Sequence, residues 1–230
     1  MAILEARNLG KRFGQKAALQ DFSVAIEPGR LVGLLGPNGS GKSTFLKLCN
    51  GLITPSAGEI LIEGQRPGAG TKRIVSYLPE RGVLSEWMTV RQALGFFADF
   101  YPDFDRERAE AMLDALGLER GARIKTLSKG TKEKLQLLLT MARRAKLYLL
   151  DEPIGGVDPA ARDVILNTIV RNYDQDAVVV ISTHLIADVE SILDDVIFLK
   201  EGRLERFAPA DSLRESSGGS IDSLFREVFR

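Results

Sequence analysis

The stretch RLVGLLGPNGSGKSTFLKL, Arg30 to Leu48, constrains the fold more than any other part of this chain. An apolar run stops at a glycine, a glycine-rich turn follows, and a helix-like pattern begins after it. Gly36, Pro37, Asn38, Gly39, Ser40, Gly41, Lys42 and Ser43 fit the pattern G-x-x-x-x-G-K-S/T, with Thr44 next. Glycines let several backbone N–H groups turn into one hollow. A helix that starts near Lys42 adds the partial positive charge of its N-terminus. Lys42 then reaches the β- and γ-phosphates, and Ser43 offers its hydroxyl to Mg²⁺. The alternative is a tight turn between strand and helix. The strand–loop–helix context favours the phosphate reading, and with it a nucleoside triphosphate. It does not say what the energy is for.

Composition narrows the setting. The 230 residues suit one large α/β domain, or a domain with a subdomain. Basic and acidic residues both total 31, so the chain lacks the broad basic footprint of a nucleic-acid binder and no nucleic-acid partner is expected. The single cysteine, Cys49, cannot form an internal disulfide, so a reducing compartment fits, and a small buried apolar residue is the simplest reading of it. The opening MAILEARNLGKRF meets charge early and has no signal-peptide apolar block. No apolar run approaches about 18 residues, so any membrane role is expected to come through a partner.

The first 35 residues read as strands separated by turns, and strand-like runs recur at GEILIE (58–63) and RIVSYL (73–78). GQRPGAGTK between them reads as an exposed loop. From about Trp87 the texture becomes helical. Val90, Leu94, Phe97 and Tyr101 share one face, as do Ala109, Met112, Leu113 and Leu116 before Gly117, and a third pattern runs from Ser128 to Ala145. Residues 85–145 are therefore predicted as a helical insert. Strand–helix alternation resumes with LYLLDE, a helix from Pro159, AVVVIST, a helix after His184, and DVIFLK, which implies a parallel sheet. The tail RESSGGS reads as a flexible linker, and IDSLFREVFR as a short amphipathic helix.

Three further places carry chemistry. LYLLDEP ends an apolar strand in two carboxylates. Asp151 is suited to Mg²⁺ and Glu152 to polarising an attacking water, with a helix cap or solvated turn as the plain alternative. His184, the one histidine, follows AVVVIST at a second strand end, where a sensor of the γ-phosphate would sit. Lys125, Lys129, Lys132 and Lys134 crowd the start of a predicted helix at Leu127-Ser128-Lys129-Gly130-Thr131. A bound anion would favour that crowding, and Ser128 and Gly130 can meet phosphate. An ordinary Ser cap with solvated lysines fits equally well.

GPNGSGKST, LSKGT, LYLLDEP, GGVD and the STH of 182–184 occur in the order and spacing of ABC-type ATPases. The chain resembles the nucleotide-binding subunit of an ABC transporter over residues 2–205. The resemblance implies an α/β P-loop NTPase fold with an antiparallel β subdomain and the helical insert at 85–145, a domain over 1–205 and a tail over 206–230. It implies that Phe13 stacks on adenine and that Gly36 to Thr44 wrap the phosphates of ATP. Ser128, Gly130 and Thr131 would bind the nucleotide of a second protomer. Ser43, Glu80 and Asp151 would hold Mg²⁺, while Glu152 acts as general base with His184 and Lys42. Asp158 would lie on a loop crossing the dimer interface. Two residues depart from the usual pattern: Glu80 stands where the family usually has glutamine, and Lys129 replaces a glycine. Both resemble the bacterial branch of bacitracin-exporter-like and antibiotic-resistance exporters. The implied partners are a second ATPase protomer and integral-membrane permease subunits, which would place the chain in the cytoplasm, peripheral to the inner face of the membrane. Glu80–Tyr101, with Trp87, Met88, Phe96 and Phe97, is the candidate permease-docking segment. A soluble ABC-type ATPase of cofactor assembly or repair is the alternative.

Overall fold

The computed structural model describes residues 1–82, 84–216 and 218–229, with Ala160 by its backbone alone. The apolar runs become two sheets. Strands β1 (Leu4–Phe13), β2 (Lys16–Ile26) and β4 (Ala57–Ile62) form an antiparallel sheet in the order β2-β1-β4. Strands β5 (Val75–Leu78), β6 (Leu147–Asp151), β7 (Val178–Thr183), β3 (Leu31–Leu35) and β8 (Asp195–Lys200) run parallel in that spatial order. Parallel strands covered on both faces read as continuous apolar runs, as LVGLL and VVVIST do.

Side-chain alternation sorts each strand between two cores. Val32, Leu34, Leu147, Leu149, Val178 and Val180 face the antiparallel sheet and helix α1 (Lys42–Cys49). There Phe22 and Phe45 meet with ring centres 4.8 Å apart, and Cys49 is buried among them as expected. Leu31, Leu35, Tyr148, Leu150, Val179 and Ile181 face the other way, onto the helices.

The helical segment holds α2 (Val90–Phe100), α3 (Arg106–Ala115) and α4 (Lys129–Met141). Each start carries a local signal. Thr89 and Gln92 form a reciprocal capping box, Asp105 accepts the Arg108 N–H at 2.9 Å, and Ser128 accepts that of Thr131 at 3.2 Å. Arg143 ties the segment to the sheet: its buried guanidinium donates to Asp103 and to the Val75 carbonyl (2.6 Å) and lies 4.0 Å from the Tyr101 ring centre. A charge this deep is tolerated because it is paired and bonded on several sides.

Three sequence expectations change. The helix after His184 is short, with α6 covering only Ile186–Val189. Arg203–Pro209 forms β9, which pairs antiparallel with β8, so a boundary at residue 205 would cut a strand of the sheet. RESSGGS is not a linker throughout, because α7 (Ala210–Ser216) takes its first half. The amphipathic helix α8 (Ile221–Val228) forms as predicted and closes on the sheet, with Phe225 and Phe229 edge-on to Phe198 at 5.8 and 5.9 Å.

Candidate active site

Strands β6, β7 and β3 are neighbours, so their C-terminal ends open on one side, where parallel sheets gather ligands. Three sequence segments that lie far apart in the chain meet there. From β3 the chain enters the glycine-rich loop. Gly41 sits at φ +113°, and a Cβ there would lie 2.5 Å from the Ala18 carbonyl oxygen, so only glycine fits. Gly36 is held as closely, since a Cβ would meet the Leu199 carbonyl oxygen at 2.4 Å and Ser40 Oγ at 2.6 Å. The loop curls around Lys42. Its buried ammonium donates to the Gly36 and Pro37 carbonyls at 2.8 and 3.2 Å and pairs with Glu152 Oε1 at 3.4 Å.

β6 delivers the two carboxylates to different partners. Asp151 Oδ1 accepts Ser182 Oγ at 2.6 Å and Ser43 Oγ at 3.0 Å. Burial is the largest influence on the Asp151 carboxyl and pushes its pKa up. The two hydroxyls pull it down, and the charges of Glu80 and Glu152 push it further up. Glu152 takes φ +50°, a conformation rare outside glycine, and its N–H donates to the carbonyl of Ser182 at 3.0 Å and to its Oγ at 3.2 Å. The carboxylate thereby faces His184 Nδ1, 3.1 Å from Oε2 and 3.2 Å from Oε1. An ionised carboxylate only accepts, so the imidazole tautomer that bonds it carries its proton on Nδ1.

These groups border an open cleft of about 840 Å³. Phe13, half exposed at 52%, stands at one wall with Lys11 Nζ 5.0 Å from its ring centre. Asn38, Gly39, Gly41, Lys42, Ser43, Thr44, Glu80, Glu152 and His184 also line the cleft, together with Lys129. Gly36, Pro37, Ser40 and Asp151 lie outside its lining; the Gly36 and Pro37 carbonyls hold Lys42, and Asp151 holds Ser43. Ser128, Gly130 and Thr131 are not brought to this cleft. Ser128 Oγ caps α4 and lies 2.7 Å from Thr131 Oγ1, while a Cβ on Gly130 would meet nothing within 4 Å.

The residues present fit a polyphosphate with Mg²⁺. The Ser40 hydroxyl is buried with no partner among the described residues, in a loop whose Gly36 and Gly41 are tightly packed, and the Ser43 and Asp151 oxygens are hard donors. Among the described residues no three His, Cys, Asp or Glu side chains cluster as a metal cage. Mg²⁺ needs none, because it commonly takes one or two protein oxygens and completes its shell with phosphate and water.

Ser182 is a site residue that sequence reading passed over. The STH run placed it next to His184, but its bonds to both acids depend on β6 and β7 being neighbours. Gln136 is a second, and its signal is a lone amide in the run KLQLLLT.

A family profile described as "ABC transporter" matches residues 19–155. The ABC transporter ATP-binding protein YtrB of Bacillus subtilis (strain 168) is 32% identical over 216 residues, covering 93% of this chain and 74% of the relative. The SkfA peptide export ATP-binding protein SkfE of the same organism is 32% identical over 210 residues, covering 89% and 88%. A solved structure of an ATP binding subunit of an ABC transporter superposes with a TM-score of 0.88 at 30% identity, covering 99% of this chain and 100% of that one.

Proposed function

This chain belongs to the ABC transporter family as an ATP-binding, ATP-hydrolysing subunit, and on that premise we propose that it drives an exporter by closing with a second protomer over bound ATP. The observation that carries the chemistry is the convergence of Lys42, Glu152 and His184 beside the Ser43–Asp151 pair. Glu152 accepts the proton of the attacking water, and His184 and the Ser182 bonds fix its direction. Lys42 keeps positive charge against the phosphates, and the loop N–H groups surround them. Ser43, Asp151 and Glu80 are the oxygens that would hold Mg²⁺, which when bound neutralises phosphate charge. Phe13 offers its face to adenine.

Ser128, Gly130 and Thr131 lie outside the chain's own cleft, which suits the reading that they serve the nucleotide of a second protomer. Asp158 caps α5 (Pro159–Arg171) through the Ala161 N–H at 3.0 Å, which orders the loop proposed to cross between protomers. Among the described residues no helix is long and apolar enough to cross a membrane, so in this reading membrane-spanning permease subunits hold the chain at the cytoplasmic face. Trp87, Phe96 and Phe100 suit that contact, being 71%, 51% and 67% exposed, with Phe96 stacked on Phe100. Met88 and Phe97 instead pack partly into the core. Export is favoured by the similarity to SkfE, whose name describes peptide export.

The test is capture from membranes. A tagged Glu152→Gln chain, held in ATP and Mg²⁺ and gently solubilised, should bring down a stoichiometric multi-span protein. The same chain carrying Trp87→Ser and Phe96→Ser should lose it. Recovery of soluble partners alone would favour an ATPase of cofactor assembly or repair.

A further inference from the structure

Helix α4 lines the cleft with Lys129, Lys132, Glu133 and Gln136, and of these Gln136 alone is buried, among leucines. Gln136 is 7% exposed, and its Nε2 has no hydrogen-bond partner among the described residues. Its carboxamide packs on Gly82, where a Cβ would lie 3.4 Å from both Nε2 and Oε1, and Gly82 is two residues from Glu80. All three residues line the same cleft.

An unmade donor this deep is costly unless a ligand-loaded state uses it. The nearby cations are engaged: Lys42 by the loop and Glu152, Lys129 by Glu133 at 3.8 Å, and Lys132 by Glu86 at 2.8 Å. Arg81, which also lines the cleft, is exposed. Glu80, when ionised, only accepts. The Tyr77 hydroxyl, buried and likewise unpartnered, lies close enough to feel the charges of both Asp151 and Glu80. The unpartnered Gln136 amide therefore borders the cleft beside the segment that carries Glu80.

We propose that Gln136 is a positioning residue: in the nucleotide-loaded state its amide donates to the Glu80 carboxylate and holds it toward the metal end of the cleft. This rests on the reading of the cleft as an ATP–Mg²⁺ site. Because α4 also carries Ser128, Gly130 and Thr131 at its start, the bond links the helical segment to metal occupancy.

The experiment uses the full chain with Glu152→Gln, so that nucleotide persists. ATP affinity is measured by calorimetry with Mg²⁺ and with EDTA, and their ratio gives the gain from metal. Gln136→Leu should cut that gain about tenfold, the effect of losing a hydrogen bond to a charged group. In a Glu80→Gln background the same substitution should change it by less than about twofold, because the charged acceptor is gone. The nucleotide-free melting temperature of Gln136→Leu should not fall, since an unpartnered buried amide is replaced by an apolar group of similar size. An equal loss of affinity in EDTA, an equal loss in both backgrounds, or no loss overturns the assignment. A parent chain that gains nothing from Mg²⁺ overturns the ATP–Mg²⁺ reading itself, and this inference with it.

Discussion

Glu152 shows how much depends on one residue's backbone. A left-handed conformation costs a non-glycine residue on the order of 1–3 kcal/mol, and here it turns the carboxylate to His184 and Lys42 while Asp151, one residue earlier, turns to Ser43 and Ser182. Two adjacent acids thus take different work. Replacing Glu152 by Gln keeps the shape and removes the carboxylate proposed as the base. Turnover, followed by phosphate release, should fall about 10²–10⁴-fold while ATP still binds. Near-normal turnover would remove Glu152 from the proposed role. The acids and the histidine were legible as residues at strand ends, and the lysine as the start of a helix after the glycine-rich loop. The strained φ at Glu152 was not, because Glu-Pro in sequence carries no sign of it.

At the scale of elements, local chemistry set most helix starts. Asp105 is the clearest case, since it caps α3 and also meets Arg144 Nη2 at 2.8 Å. The Arg108 N–H bond is the largest cause of its lowered pKa. Burial opposes it, and Arg144 adds to the lowering. The folded state therefore holds fewer protons on this group than the unfolded state does. Its stabilisation is complete above the ordinary aspartate range and is lost as pH falls through the folded pKa. Asp105→Asn keeps a capping oxygen and deletes the charge, so the melting-temperature gap to the parent should be widest near neutrality. It should narrow as pH drops below about 4; a gap that widens on acidification would contradict this. Asp105→Ala, which removes the cap, should cost about 1 kcal/mol in urea unfolding. The periodic faces of α2 and α3 were readable because they bury one stripe. β9 was not, because it is an exposed edge strand and RLERFAP has no apolar alternation.

At the scale of the molecule, the C-terminal helices are part of the structure. Ile221 and Leu224 are buried, and Phe225 and Phe229 cover Phe198 of the central sheet. Lys200 Nζ donates to the Val228 carbonyl at 2.7 Å, closing the same corner. Ending the chain at residue 216 would expose that face. Two buried aliphatic side chains alone are worth about 3–6 kcal/mol by area, an upper figure for a chain that retains some collapse when unfolded. The truncated chain should show a clearly lower urea midpoint, whereas an unchanged midpoint would make α8 an accessory.

The sequence by itself determined the glycine-rich loop, the paired acids at a strand end, the histidine at another and the helical segment between them. Each is written in adjacent residues or in a short period, so local sterics and amphipathicity suffice to fix it. Only the tertiary structure decided which of these meet. The Lys42–Glu152 pair, the two bonds of Ser182 and the contact of Gln136 with Gly82 join segments about 30 to 110 residues apart. They exist because β3, β6 and β7 pair side by side and α4 packs against β5 next to β6, and no local run of residues encodes which strand lies beside which.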